Sequence, residues 1–133
     1  MRQYARRQTA ALLSKLGREI ARAAGDASPD AIHDVRVAIR RLSRCLRVFA
    51  QFYPRQSWKK ARAELSELLH AAGAVRDRDI ALELLAKAAI PRRSPIYAKL
   101  HAERAKAREE FVAEVRGWDE RKAVELWRTR LDV

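Results

Sequence analysis

Cysteine occurs once in the 133 residues, at Cys45, which excludes an intramolecular disulfide framework and fits a reducing compartment. Glycine and proline number only four each, and no strand-like alternation of useful length interrupts the chain, so an architecture of short strands and tight turns is not expected. No stretch approaches the roughly 18 consecutive apolar residues of a membrane span. The basic start, Met1 to Gln8, is followed by a segment broken at Lys15 and Arg18, too polar for the apolar part of a signal peptide. A cytoplasmic protein without a membrane partner is the expectation.

The most local absence is of acid. From Val35 to Ala63 there is no aspartate or glutamate, while nine basic residues fall in the same interval: Arg36, Arg40, Arg41, Arg44, Arg47, Arg55, Lys59, Lys60 and Arg62. A solvated helix face ordinarily mixes both signs, because opposite charges three or four residues apart support each other and like charges repel. With a net charge of +12 and a pI near 10.8, the chain should attract polyanions of any kind, nucleic acid and anionic surfaces included.

What is abundant is helix-forming residues. Hydrophobic residues, mostly alanine and leucine, make up 48% and charged residues 35%, enough for one domain with a modest core. Helical periodicity places a first segment from about Gln3 to Ala24, ended by Gly25-Asp26. Ser28-Pro29-Asp30 then provides a cap and a proline at the first helical position for a second segment, which should reach about Phe52 before Pro54. A third is expected from near Ser57 to about Ala89, with a kink or close helix contact at Gly73. Ser94-Pro95 starts a fourth that runs to about Arg116, and Gly117 should bend or stop it before a last helical piece, Trp118 to Leu131. The economical architecture is all-α: an antiparallel up-down four-helix bundle, one domain over residues 1–133, with a bend or short extra helix near the C-terminus.

At about 100° per residue, His33, Arg36, Arg40, Arg44 and Arg47 fall in one stripe of the second helix, opposite Val35, Ile39, Leu42, Leu46 and Phe49. The third helix mixes arginine into an apolar stripe, with Trp58, Arg62, Leu65, Leu69, Ala72, Arg76 and Ile80 on one side. On the fourth, Leu100, Arg104, Arg108, Phe111 and Val115 do the same. An arginine at the rim of a packed face needs a partner. That partner is either an internal acid, Asp77 or Asp79 among them, or an external anion held in a groove shared with the second helix. Guanidinium forks suit phosphate oxygens.

Two segments resemble a known family. Ile32-His33-Asp34-Val35-Arg36-Val37-Ala38-Ile39-Arg40-Arg41-Leu42 is similar to the signature of the CHAD family, the conserved histidine alpha-helical domain. Ala72-Gly73-Ala74-Val75-Arg76-Asp77-Arg78-Asp79-Ile80 is similar to its Gly-x-x-Arg-Asp-x-Asp-Val segment. The resemblance implies an all-helical protein that binds inorganic polyphosphate in a basic groove and associates with polyphosphate granules. It carries the family's histidine and arginines onto His33, Arg36, Arg40 and Arg41, continued by Arg44 and Arg47, and onto Arg76 from the second motif. Arg62, Arg104 and Arg108 rest on helical phase and looser similarity. Ser66 stands where the resemblance leads one to expect a basic residue, a loss that Lys59 and Arg62 are placed to offset. Family members usually contain two four-helix halves around a groove, whereas this sequence has one motif set; a homodimer would restore the second half.

Histidine charges as the pH falls through its ordinary range, so a His33 that contacts the ligand would tighten binding in mild acid. The aromatics Phe49, Phe52, Tyr53 and Trp58 gather at the junction of the second and third helices, which suits packing more than base stacking. The alternative reading is a nonspecific nucleic-acid-binding helical protein, though zinc-finger spacing and an RNA-recognition signature are both missing. Catalysis is not expected. His33, His70, His101 and Cys45 lack metal-ligand spacing, no phosphate-cradling glycine loop or Glu-x-Glu-x-Lys motif occurs, and Asp77 and Asp79 fit ion-pair roles better than Mg²⁺. Cofactors and metals are therefore expected to be none.

Overall fold

The computed structural model describes residues 1–133, all helix and connecting turns with no strand. The elements are α1 (Arg2–Gly25), α2 (Pro29–Val48), a 3₁₀ turn (Ala50–Phe52), α3 (Arg55–Lys87), α4 (Pro95–Glu120) and α5 (Ala123–Leu131). The start of α2 follows the sequence signal closely: Ser28 Oγ accepts from the Ala31 amide at 3.1 Å and Pro29 opens the first turn. Its end comes earlier than the apolar pattern suggests. Pro54 disfavours helical backbone just ahead of it, and the chain tightens into the 3₁₀ turn before α3 begins.

The expected close helix contact at Gly73 and the expected stop at Gly117 are both corrected. α3 passes through Gly73 as one uninterrupted helix, and a Cβ there would meet nothing within 4 Å. Its good helix-forming neighbours carry it across an isolated cost of about 1 kcal/mol. Likewise α4 continues past Gly117 to Glu120, and the break falls at Arg121-Lys122, where Lys122 adopts left-handed backbone (φ 52). At Gly17 on α1 an added Cβ would sit 3.5 Å from a Val124 methyl of α5, an ordinary van der Waals contact, so the α1–α5 packing there does not depend on glycine.

Each long helix packs on the next, and α4 also packs on α1, while α5 lies across α1, α3 and α4. The core comprises 25 buried side chains, including Leu13, Leu16 and Ile20 of α1, Val35, Ile39, Leu42 and Leu46 of α2, Leu65, Leu68 and Val75 of α3, Phe111, Val115 and Trp118 of α4, and Trp127 and Leu131 of α5. None lies between Val75 and Ala107. The outer third of α3 and the first half of α4 therefore form a two-helix hairpin beyond the core.

Two polar connections tie α1 to α2 and to the turn that follows it. Near one end, Arg22 donates to Asp34 at 2.6 Å, and this hydrogen bond raises the arginine's pKa above its ordinary value. Near the other, the buried Tyr53 hydroxyl donates to the Ala5 carbonyl at 3.2 Å and contacts the Thr9 hydroxyl, which lies 3.5 Å from Cys45 Sγ. Burial pushes the Tyr53 phenol up. Tyr53→Phe should keep the ring's packing but leave Thr9 and Ala5 short of a partner, lowering stability by about 1–2 kcal/mol in urea unfolding. An unchanged midpoint would show that this hydrogen-bonded cluster contributes nothing.

Candidate anion-binding groove

A surface groove of about 310 Å³ lies between α2 and α3. Its walls are Arg40, Arg44 and Arg47 from α2 and Arg62 from α3; Ser43 and Ser66 add hydroxyls, and Leu65 and Leu69 form the apolar floor. No acidic side chain lines it. None of the four arginines has a carboxylate within salt-bridge distance, whereas eight ion pairs occur elsewhere in the chain. Four fixed positive charges in a recess with no internal counter-charge repel one another until an anion enters.

One wall is held by aromatic packing. Trp58, one turn before Arg62, donates its indole N–H to the Leu46 carbonyl at 2.7 Å and so ties the start of α3 to the end of α2. The Arg62 guanidinium lies 5.2 Å from the centroid of that ring. Stacking of this kind restrains a long side chain without consuming its hydrogen-bond donors. Neither Trp58 nor Ser43 stands out as a site residue from sequence. The signal for Ser43 is its place three residues after Arg40 and four before Arg47, on the flank of the stripe that turns toward α3.

Beyond the groove the positive surface continues toward the start of α2. Arg36 is partly buried, and its Nε is shielded from solvent without an acceptor in the chain. Burial is the largest cause holding the Arg36 pKa below the ordinary arginine value; the charges of Arg40 and Arg76 add to it, and Asp77 opposes it. The two sequence motifs thus converge here, one supplying Arg36 and Arg40 and the other Arg76. The nearest acid of α2, Asp34, faces α1 and is neutralised by Arg22. His33 is exposed one turn before Arg36 on the same stripe.

The remaining candidates separate from this cluster. Arg41 is exposed about 100° around α2 from Arg40, on the side toward α1, and Lys59 is exposed outside the groove lining. Arg104 is engaged in an ion pair with Asp79, its Nε donating to the carboxylate across the α3–α4 hairpin. That pair, with side chains only 27% and 15% exposed, answers the need for a partner that the apolar stripe raised. Arg108 is half-buried on α4, and no residue of α4 lines the groove. Arg76 makes a loose contact with Glu83, 3.9 Å between charged atoms, and stays available. Ser66 lies in the groove itself, where Arg62, and not Lys59, stands beside it.

The family model of the CHAD domain matches residues 7–132, nearly the whole length. The chain belongs to the CHAD family. No curated protein and no solved structure matches it. CHAD domains are associated with polyphosphate binding in general. No group of three or more histidine, cysteine, aspartate or glutamate side chains is placed to hold a metal ion.

Proposed function

We propose that this CHAD domain is a non-catalytic module that binds inorganic polyphosphate along the rail from His33 to Arg47, with Arg62 and Arg76 of α3 as the facing cations. The observation that carries the reading is the absence of any acid from the α2–α3 groove, together with the unpartnered Nε of Arg36 beside Arg40 and Arg76. Polyphosphate offers closely spaced charge and no base edges. A recess of guanidinium and hydroxyl groups without an exposed stacking ring matches that ligand better than it matches nucleic acid.

The reading assumes an antiparallel up-down bundle in which α2 presents its basic side outward, and a cytoplasmic location at polyphosphate granules follows from it. In competition at near-physiological salt, polyphosphate should displace duplex DNA from the protein at equal phosphate concentration. Parity between the two polyanions would favour nonspecific nucleic-acid binding. Incubation with polyphosphate and Mg²⁺ should release no phosphate, and turnover would overturn the non-catalytic assignment.

One rail covers one side of a polyphosphate chain, so a homodimer with a second copy opposite the first would enclose it. Sedimentation velocity with and without polyphosphate checks this directly. A monomer in both conditions rejects the dimer and leaves the single groove standing.

A further inference from the structure

The α3–α4 hairpin leaves the core after Val75 and returns to it at Ala107, so α3 extends roughly three turns past its last buried residue. At its tip the expected solvent-facing composition fails. Leu84 in the last turns of α3, Ile90 in the connecting loop and Ile96 in the first turn of α4 are 59%, 36% and 40% exposed. Lys87, Arg92, Arg93 and Lys99 fall in the same stretch of chain, all exposed, and between Glu83 and Glu103 there is no acid. Tyr97, in the first turn of α4, is buried.

We infer that this tip docks on an anionic lipid surface. Three large exposed aliphatic side chains at the end of the hairpin, interspersed along the chain with four exposed cations, match the two zones of such a surface: acyl chains for the aliphatics and headgroup phosphates or carboxylates for the cations. A purely polyanionic ligand would use the cations and leave the aliphatics without a role. A second copy pairing tip to tip would set four cations against four cations. No helix is long and apolar enough to cross a membrane, which bears on spanning and not on contact with a surface, so the tip departs from the sequence-based expectation of no membrane partner. Lipid docking at the tip is independent of what the α2–α3 groove binds.

Co-sedimentation of the full chain with phosphatidylcholine vesicles, with and without phosphatidylserine, tests it. Wild type should pellet with the anionic vesicles and remain in solution with the neutral ones. Changing Leu84, Ile90 and Ile96 to serine together should reduce the partition coefficient at least about tenfold. Neutralising Lys87, Arg92, Arg93 and Lys99 to glutamine should reduce it about fivefold per residue at low salt. Neither set touches the core, so both variants should retain wild-type helicity and polyphosphate affinity. Arg40, Arg44 and Arg47 changed to glutamine should leave most vesicle binding intact. Lipid docking by the tip is overturned if the serine variant partitions like wild type, or if the groove variant alone abolishes binding. It is equally overturned if the serine variant loses a wild-type dimer while neither protein binds vesicles, since the tip would then be a self-association surface.

Discussion

Changing Arg40, Arg44, Arg47 and Arg62 together to glutamine is expected to weaken polyphosphate binding by two to three orders of magnitude at about 0.15 M salt. These four side chains line one acid-free groove and have no acidic partners of their own. Each phosphate charge they neutralise releases a condensed counterion, and binding to a linear polyanion falls by about 0.7–0.9 of a power of salt concentration for each phosphate neutralised. At 0.15 M that corresponds to roughly four- to fivefold in affinity for each arginine removed. The slope of log affinity against log salt should become shallower by about three units. Stability should change little, since the change relieves mutual repulsion and removes no ion pair but gives up the Arg62 stacking on Trp58.

The matching control is Arg41 with Lys60, which are equally basic but lie outside the groove lining. Neutralising this pair should cost less per charge, because exposed cations act only through the screened field of the protein. Replacing the groove arginines by lysine separates charge from shape: salt dependence should persist while affinity falls, because an ammonium cannot grip two phosphate oxygens at once. If the quadruple variant binds as tightly as wild type, the groove is not the site.

Much of this site is legible in the sequence, and the part that is not has identifiable causes. The rail on α2 follows from its phase because a helix with one strongly apolar side can sit on a core in only one rotation. The stripe on α3 is legible as a pattern but ambiguous as chemistry. Arg62 and Arg104 both occupy apolar stripes, yet Arg62 stacks on Trp58 beside the groove while Arg104 pairs with Asp79 in the hairpin. Pairing across helices depends on their relative stagger, which no single-helix periodicity contains. Gly73 and Gly117 mislead for a related reason: local propensity marks where a helix is weak, and packing along the long α3 and α4 decides whether it stops. The exposed hairpin tip is also hidden, since Leu84 and Ile96 look like core until one knows that the bundle has already ended.

Arg36→Met should separate stability from function in opposite directions. In the wild type this guanidinium gives up hydration for a position beside Arg40 and Arg76, with Nε lacking an acceptor and Asp77 acting as a partial counter-charge. The folded state therefore holds the protonated form less well than the unfolded chain does. For a cation whose pKa is lowered on folding, that penalty is fully present below the folded pKa and disappears only as the pH rises past the unfolded one. Both lie far above working pH, so the penalty is constant across the ordinary range. Methionine keeps the length and the apolar stem without the charge. The expected gain in stability is up to about 1 kcal/mol, kept small because the group is only partly buried and solvent screens much of the repulsion. Polyphosphate affinity should fall at the same time by about tenfold, since a desolvated cation gains more from an incoming phosphate than an exposed one does. Urea unfolding and a polyphosphate titration on the same preparation read both effects. A less stable variant would mean that Asp77 pairs with Arg36 strongly enough to make the arginine structural; unchanged affinity would remove it from the site. The predicted combination, more stable and weaker binding, is the signature of a residue held in an unfavourable place for its ligand.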